Sequence, residues 1–220
     1  MQAKSLITED IPPVKTSMSG KDTLVFMREF AISHLPIVNN TQFLGLISEQ
    51  DIIDMNTPDS PIGDHSLSLI KPVVFLEQHV YDIINIVAKL KLSLIPVVDN
   101  EYNYRGVITL KSIVENLSNL SSIKEGGGII VLEVGIRDYV LSEIARIVES
   151  EDAKILSVSV NTDESRRKLK VTLKLNKTNI QHIISSFERF NYNVASTFLE
   201  DEQGESFKDR YDILMKYLDM

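Results

Sequence analysis

The chain contains the same pattern twice. Ser33-His34-Leu35-Pro36-Ile37-Val38 is echoed by Ser93-Leu94-Ile95-Pro96-Val97-Val98, and Gly45-Leu46-Ile47-Ser48-Glu49-Gln50-Asp51-Ile52 by Gly106-Val107-Ile108-Thr109-Leu110-Lys111-Ser112-Ile113. The prolines lie 60 residues apart and the glycines 61, so the intervening turn differs by a single residue. Self-similarity at a nearly fixed period means two copies of one supersecondary unit, and it constrains the fold more than any local propensity.

Each unit reads as helix, strand, turn, strand, helix. In the second, Val80, Ile83, Ile84, Val87 and Leu90 recur at helical spacing. Ile95 to Asp99 is short, apolar and β-branched, as a buried strand should be. Asn100 to Arg105 carries turn chemistry, Gly106 opens the next strand, and Ser112 to Leu120 reads as helix. Asn56 to His65, with Pro58, Pro61 and Gly63, connects the two units.

Beyond the repeat the pattern changes. Gly126-Gly127-Gly128 reads as a flexible linker by composition. After it the order is strand (Ile129 to Val134), helix (Val140, Leu141, Ile144, Ile147, Val148) and two alternating strands. Those strands carry Leu156, Val158, Val160 and then Leu169, Val171, Leu173, Leu175. A second helix (Ile180, Ile183, Ile184, Phe187, Phe190) and a strand (Tyr192 to Leu199) complete a split βαβ, ferredoxin-like plan. Phe207, Tyr211, Leu214 and Leu218 mark an apolar stripe on a C-terminal helix that needs a surface to cover.

The formal charge of −8 argues against a nucleic-acid partner, whose phosphates demand a basic surface. Lys168, Lys170 and Lys174, after Arg166 and Arg167, share one strand face and read as a solvated sheet surface. No apolar run reaches the roughly 18 residues of a membrane span. The absence of cysteine removes disulfides, thiolate metal sites and a Cys nucleophile, and a reducing cytoplasm is the expected compartment. His34, His65, His79 and His182 show no ligand spacing, so no metal is expected. No nucleophile stands beside a base, and the chain is not expected to be an enzyme.

On the strands ending in hydrophobic-Pro-Val-Val and the motif Gly-h-h-Ser/Thr-x-x-Asp (h apolar), the repeats resemble CBS domains, whose tandem pairs fold as one module. On element order, residues 129–199 resemble an ACT domain. The whole is similar to CBS–ACT regulators of the acetoin-utilisation type. The resemblance implies an α/β (α+β) chain: a first CBS domain over 1–65, a second over 66–124, a ferredoxin-fold ACT-like domain over 129–200, and a helix over 205–220. ACT modules often have a glycine after their first helix, where this chain has Glu151-Asp152-Ala153. Their ligands often approach the first strand–helix loop, here Gly135 to Asp138, where Asp138 reads as an N-cap.

CBS domains commonly bind adenosyl ligands in the cleft between repeats. The physical content of the motif is a strand feeding into a helix N-terminus, where free N–H groups and the dipole favour an anion. The resemblance gives Ser48 and Thr109 a hydroxyl for a phosphate and Asp51 a carboxylate for the ribose diol. Ser112 stands where the second repeat would have that carboxylate, so the first site is expected to be the better one. His34 and Leu35, and Leu94 and Ile95, are the candidate walls for the base. A bland alternative fits the same residues: Ser48 as an N-cap and Asp51 as its capping-box partner. The expected function is regulatory: a sensor, homodimeric, binding AMP, ADP, ATP, S-adenosylmethionine or NAD, with no resident cofactor and a protein target the sequence does not name. The alternative is a structural dimerisation protein with degenerate pockets.

Overall fold

The structure, a computed structural model, describes residues 1–65, 69–120, 123–163 and 167–199, with only the backbone at 119 and 120. The stripe Phe207, Tyr211, Leu214, Leu218 and its helix over 205–220 lie outside the described residues, as does Arg166. The chain divides into two units, Met1–Leu117 and Ser118–Met220.

In the first unit the repeat is visible element by element. Its first copy contains α1 (Gly20–Glu29), β1 (His34–Asn39), β2 (Gln42–Ser48) and α2 (Glu49–Ile53). The second contains β3 (Val74–Phe75), α3 (Val80–Leu90), β4 (Leu94–Val98), β5 (Tyr104–Thr109) and α4 (Leu110–Leu120). The two hairpins have the same register, Leu35 opposite Ile47 and Ile95 opposite Ile108, and each is irregular one residue after its Ile37 or Val97 position. Val14 pairs in parallel with Ile37 as Val74 does with Val97, so the first sheet has a single bridge at the place where the second has its edge strand β3. Ala31 and Lys91 end α1 and α3 with φ of 52° and 53°. That matched left-handed step reverses the chain into β1 and β4.

The lead segments are exchanged. Thr8, ahead of the first copy, pairs with Val107 on β5 of the second, while Ile70, ahead of the second, pairs with Leu46 on β2 of the first. This crossing explains the motif glycines. A Cβ on Gly106 (φ +129°) would stand 2.6 Å from Ile7, and one on Gly45 would stand 2.6 Å from Leu69. Only glycine lets the foreign segment lie that close. Leu35, Ile37, Leu46, Ile47, Leu94, Ile95, Val97, Val107 and Ile108 join one buried cluster, so both copies share a core. Each such side chain contributes about 1.5–3 kcal/mol by leaving water. The connection between the copies is pinned rather than loose: Ile62 N–H donates to Met18 O (2.8 Å) and Gly63 N–H to Thr16 O (2.8 Å).

The second unit contains β6 (Ile129–Gly135), α5 (Leu141–Ser150), β7 (Ile155–Asp163), β8 (Lys168–Leu175), α6 (Gln181–Arg189) and β9 (Asn193–Phe198). Its sheet runs β7-β8-β6-β9 with every neighbour antiparallel, the order of a ferredoxin-like fold. Ile130, Leu132, Val171 and Leu173 bury one sheet face against Ile144, Ile147, Val148, Ile183 and Phe187 of the helices. On the other face Lys168 bonds Glu133, and Lys174 donates to the Gly127 carbonyl (2.9 Å).

Two local expectations fail here. Gly127 and Gly128 are buried, not a free linker. Gly128 N–H donates to Lys177 O (2.7 Å) and its carbonyl accepts from Leu175 N–H (2.9 Å), extending the β6–β8 ladder backwards. Gly127 has φ +138°, and a Cβ there would meet the Leu175 carbonyl oxygen at 1.9 Å. The glycines serve close approach, which composition cannot distinguish from flexibility. Asp138 does not cap α5 either. Its N–H closes a turn onto Gly135 O (2.9 Å), and the helix begins at Leu141 after Val140, without a side-chain cap. After α5, Asp152 adopts φ 60°, the left-handed step that a glycine would take without strain.

Candidate functional site

Both motif copies form a strand-to-helix corner. At the first, Ser48 caps α2: its Oγ accepts from Asp51 N–H (3.1 Å) and donates to Asp51 Oδ2 (2.6 Å). The same oxygen accepts from Ser48 N–H (2.8 Å), completing a capping box. At the second, Ser112 N–H donates to Thr109 Oγ1 (3.0 Å) and Thr109 N–H to Ser112 Oγ (3.2 Å). The Ser112 hydroxyl donates to the Thr109 carbonyl (2.9 Å). The first helical N–H is also matched: Glu49 donates to Ser33 O (2.9 Å) and Leu110 to Ser93 O (3.2 Å).

The corners differ in what they leave available. Ser48 has committed its hydroxyl proton to Asp51, whereas no acceptor for the Thr109 proton lies among the described residues. α2 is five residues long and has Glu49 and Asp51 in its first turn; α4 is eleven residues long with no acid there. A short helix with acids already at its positive end attracts a further anion poorly. The first turn of α4 therefore opposes an anion less than that of α2.

A cavity borders each corner. The one at Thr109, Lys111 and Ser112 has a volume of about 480 Å³ and is closed by Phe30 and Ile32 from the α1–β1 corner of the other copy. That volume falls in the roughly 300–1,000 Å³ range of small-molecule sites. The cavity at Ser48 measures about 410 Å³ and is bordered by His34, Glu49 and Ile53 with Leu90 and Lys91 from the opposite copy. Residues around 30–32 and 90–91 were missed as site residues. The repeat itself held the signal, because equivalent corners of a two-fold pair face each other's motif.

His34 lies where β1 passes β4. Its Nδ1 accepts from Ser93 N–H (3.4 Å) and lies 3.2 Å from Ser93 Oγ and 3.1 Å from Ser33 Oγ. Burial lowers its pKa below the ordinary 6.5, against the pull of the Asp51 charge. The other proposed walls are elsewhere. Leu35, Leu94 and Ile95 are wholly buried in the shared core and have no surface to offer a ligand. A strand sandwiched on both faces leaves its apolar residues no open side. Asp51 is half-buried but turned onto Ser48, leaving one carboxylate oxygen without a partner among the described residues. No group of metal-ligating side chains occurs among the described residues. No described helix is long and apolar enough to cross a membrane.

Residues 3–56 and 67–119 match the CBS domain family. Among solved structures, a CBS domain pair/ACT domain protein from Thermotoga maritima is 22% identical with a TM-score of 0.47, over 54% of this chain and 98% of its own. CBSX2 in complex with AMP is 21% identical with a TM-score of 0.48, over 56% of this chain and 98% of its own. The cytosolic domain of the Mg2+ channel MgtE in complex with ATP is 21% identical with a TM-score of 0.44, over 52% of this chain and 48% of its own. With two copies of one unit wound around a shared core and the family matched over both, the chain is a CBS-domain protein carrying its two domains as a tandem pair.

Proposed function

We propose that the protein is a regulatory, non-catalytic sensor that binds an adenosyl ligand of the AMP, ADP, ATP, S-adenosylmethionine or NAD type in the clefts of its CBS pair. Occupancy then changes how it associates with a protein partner in the cytoplasm. The observation that carries this reading is the cavity at Thr109. It joins an undonated hydroxyl, the start of an eleven-residue helix and Lys111 to apolar walls from Phe30 and Ile32. A phosphate suits the first group and a flat base the second. Two of the similar solved structures are nucleotide complexes, CBSX2 with AMP and the cytosolic domain of MgtE with ATP. The Ser48 cleft, bordered by His34 and Glu49, serves as the weaker site, which Asp51 reaches only with the carboxylate oxygen it does not commit to Ser48.

For residues 129–200 we propose an ACT-like domain following CBS domains over 1–65 and 66–124, supported by the sheet order. Its β6–α5 loop borders a cavity of about 260 Å³ lined by Glu133, Asp138 and Glu143. So acidic a lining disfavours the carboxylate of an amino acid. A homodimer is also proposed, on the apolar residues the CBS helices expose: Val25 (54%), Ile53 (62%) and Val114 (64%).

Isothermal titration with AMP, ATP, S-adenosylmethionine and NAD tests the central claim. At least one should bind, and Thr109→Ala should weaken it about tenfold through loss of a charge-assisted hydrogen bond. Silence with all four compounds would refute the sensor reading and leave the dimerisation role.

A further inference from the structure

The second cleft has lost its motif carboxylate, yet two others border it, Asp10 and Glu115, and Glu115 lies 4.0 Å from Lys111 Nζ on its own helix. Asp10 lines the cavity beside Thr109 and Ser112, carried by the lead segment of the opposite copy. The exchanged segments are unequal. Each starts on the other copy's strand and ends on its own, but the first takes seven residues, Thr8 to Val14, and the second five, Ile70 to Val74. The two extra residues are taken up by a bend at residues 9–11, and that bend holds Asp10 at the cavity.

Asp10 is positioned rather than loose. Thr8 Oγ1 donates to its Oδ2 (2.9 Å) and accepts its N–H (3.2 Å), leaving Oδ1 without a partner among the described residues. Ser112 is a poorer acceptor: its hydroxyl proton goes to the Thr109 carbonyl and its oxygen already accepts the Thr109 N–H, which leaves one lone pair of a neutral group. We propose that Asp10 is the hydroxyl-binding carboxylate of the second cleft, so that this cleft selects a ligand with a free vicinal diol, a ribonucleoside rather than its deoxy analogue. This rests on the nucleotide reading of the clefts. The acceptor has moved from the helix of one copy to the lead segment of the other, and the Thr109–Lys111 end is left for the phosphate.

The test uses AMP and 2′,3′-dideoxy-AMP, titrated calorimetrically into the full chain carrying Asp51→Asn, which silences the motif carboxylate of the first cleft. AMP should bind about tenfold or more tightly than the dideoxy compound, as expected for a hydrogen bond to a charged acceptor. Adding Asp10→Asn should abolish that preference by weakening AMP alone, and Thr8→Val should reduce it in part. Thermal melts confirm folding, which exposed Asp10 should not disturb. A preference that survives Asp10→Asn overturns the proposal, as does an Asp51→Asn chain with no AMP binding or no preference. Failure of unmutated protein to bind AMP or any other adenosyl nucleotide refutes instead the reading beneath it.

Discussion

Asp51→Ala should lower the stability of the CBS pair by about 2 kcal/mol, at the upper end for loss of a capping interaction. Two hydrogen bonds converge on one Asp51 oxygen, from Ser48 N–H (2.8 Å) and Ser48 Oγ (2.6 Å). Bonds to a charged acceptor contribute about 1.5–3 kcal/mol each when buried. Asp51 is half-buried, so water can replace part of what is lost, and the sum is well below twice that value. The loss nonetheless exceeds the roughly 0.3–1 kcal/mol expected for an exposed first-turn carboxylate acting on the helix dipole alone. For a unit spanning Met1–Leu117, about 2 kcal/mol corresponds to roughly 8 °C in Tm. Thermal unfolding of Asp51→Ala, Ser48→Ala and the double variant measures it. Because both singles remove the same box, the double should cost little more than either one. A Tm within about 2 °C of the unmutated protein, or strictly additive losses, would refute the capping role and return Asp51 to solvent.

Gly127→Ala must push against the Leu175 carbonyl and hold φ near +138°, strain of about 1–3 kcal/mol or more. It should destabilise the C-terminal unit while Gly126→Ala, at an exposed glycine, stays within about 0.5 kcal/mol; equal, negligible effects would restore the flexible-linker reading. His34 has a folded-state pKa below 6.5, so the unfolded chain binds the proton more readily, and His34's contribution is complete above pH 6.5 and lost as pH falls below it. Unfolding between pH 7.5 and 5 should show that loss, and His34→Leu, which copies Leu94, should flatten it. An NMR titration placing the His34 midpoint above 6.5 would contradict the burial argument.

The repeat was legible because its two copies need the same side chains at the same corners. Pro36 and Pro96, Gly45 and Gly106, and Ser48 and Thr109 mark equivalent turns wherever the chain takes them. The alternation of Leu169, Val171, Leu173 and Leu175 likewise marks a half-buried strand, and it is one, with Lys168, Lys170 and Lys174 on its other face. Local pattern could not reveal which partner each segment would meet. Thr8 joins β5 and Ile70 joins β2 through backbone hydrogen bonds, which carry no side-chain signature. That exchange decided the rest. It sealed Leu35, Leu94 and Ile95 inside a common core, brought Phe30, Ile32 and Asp10 to the second cavity, and made the glycines places of contact. Periodicity reports that a face is apolar; only the packed chain decides whether that face meets a ligand or another strand.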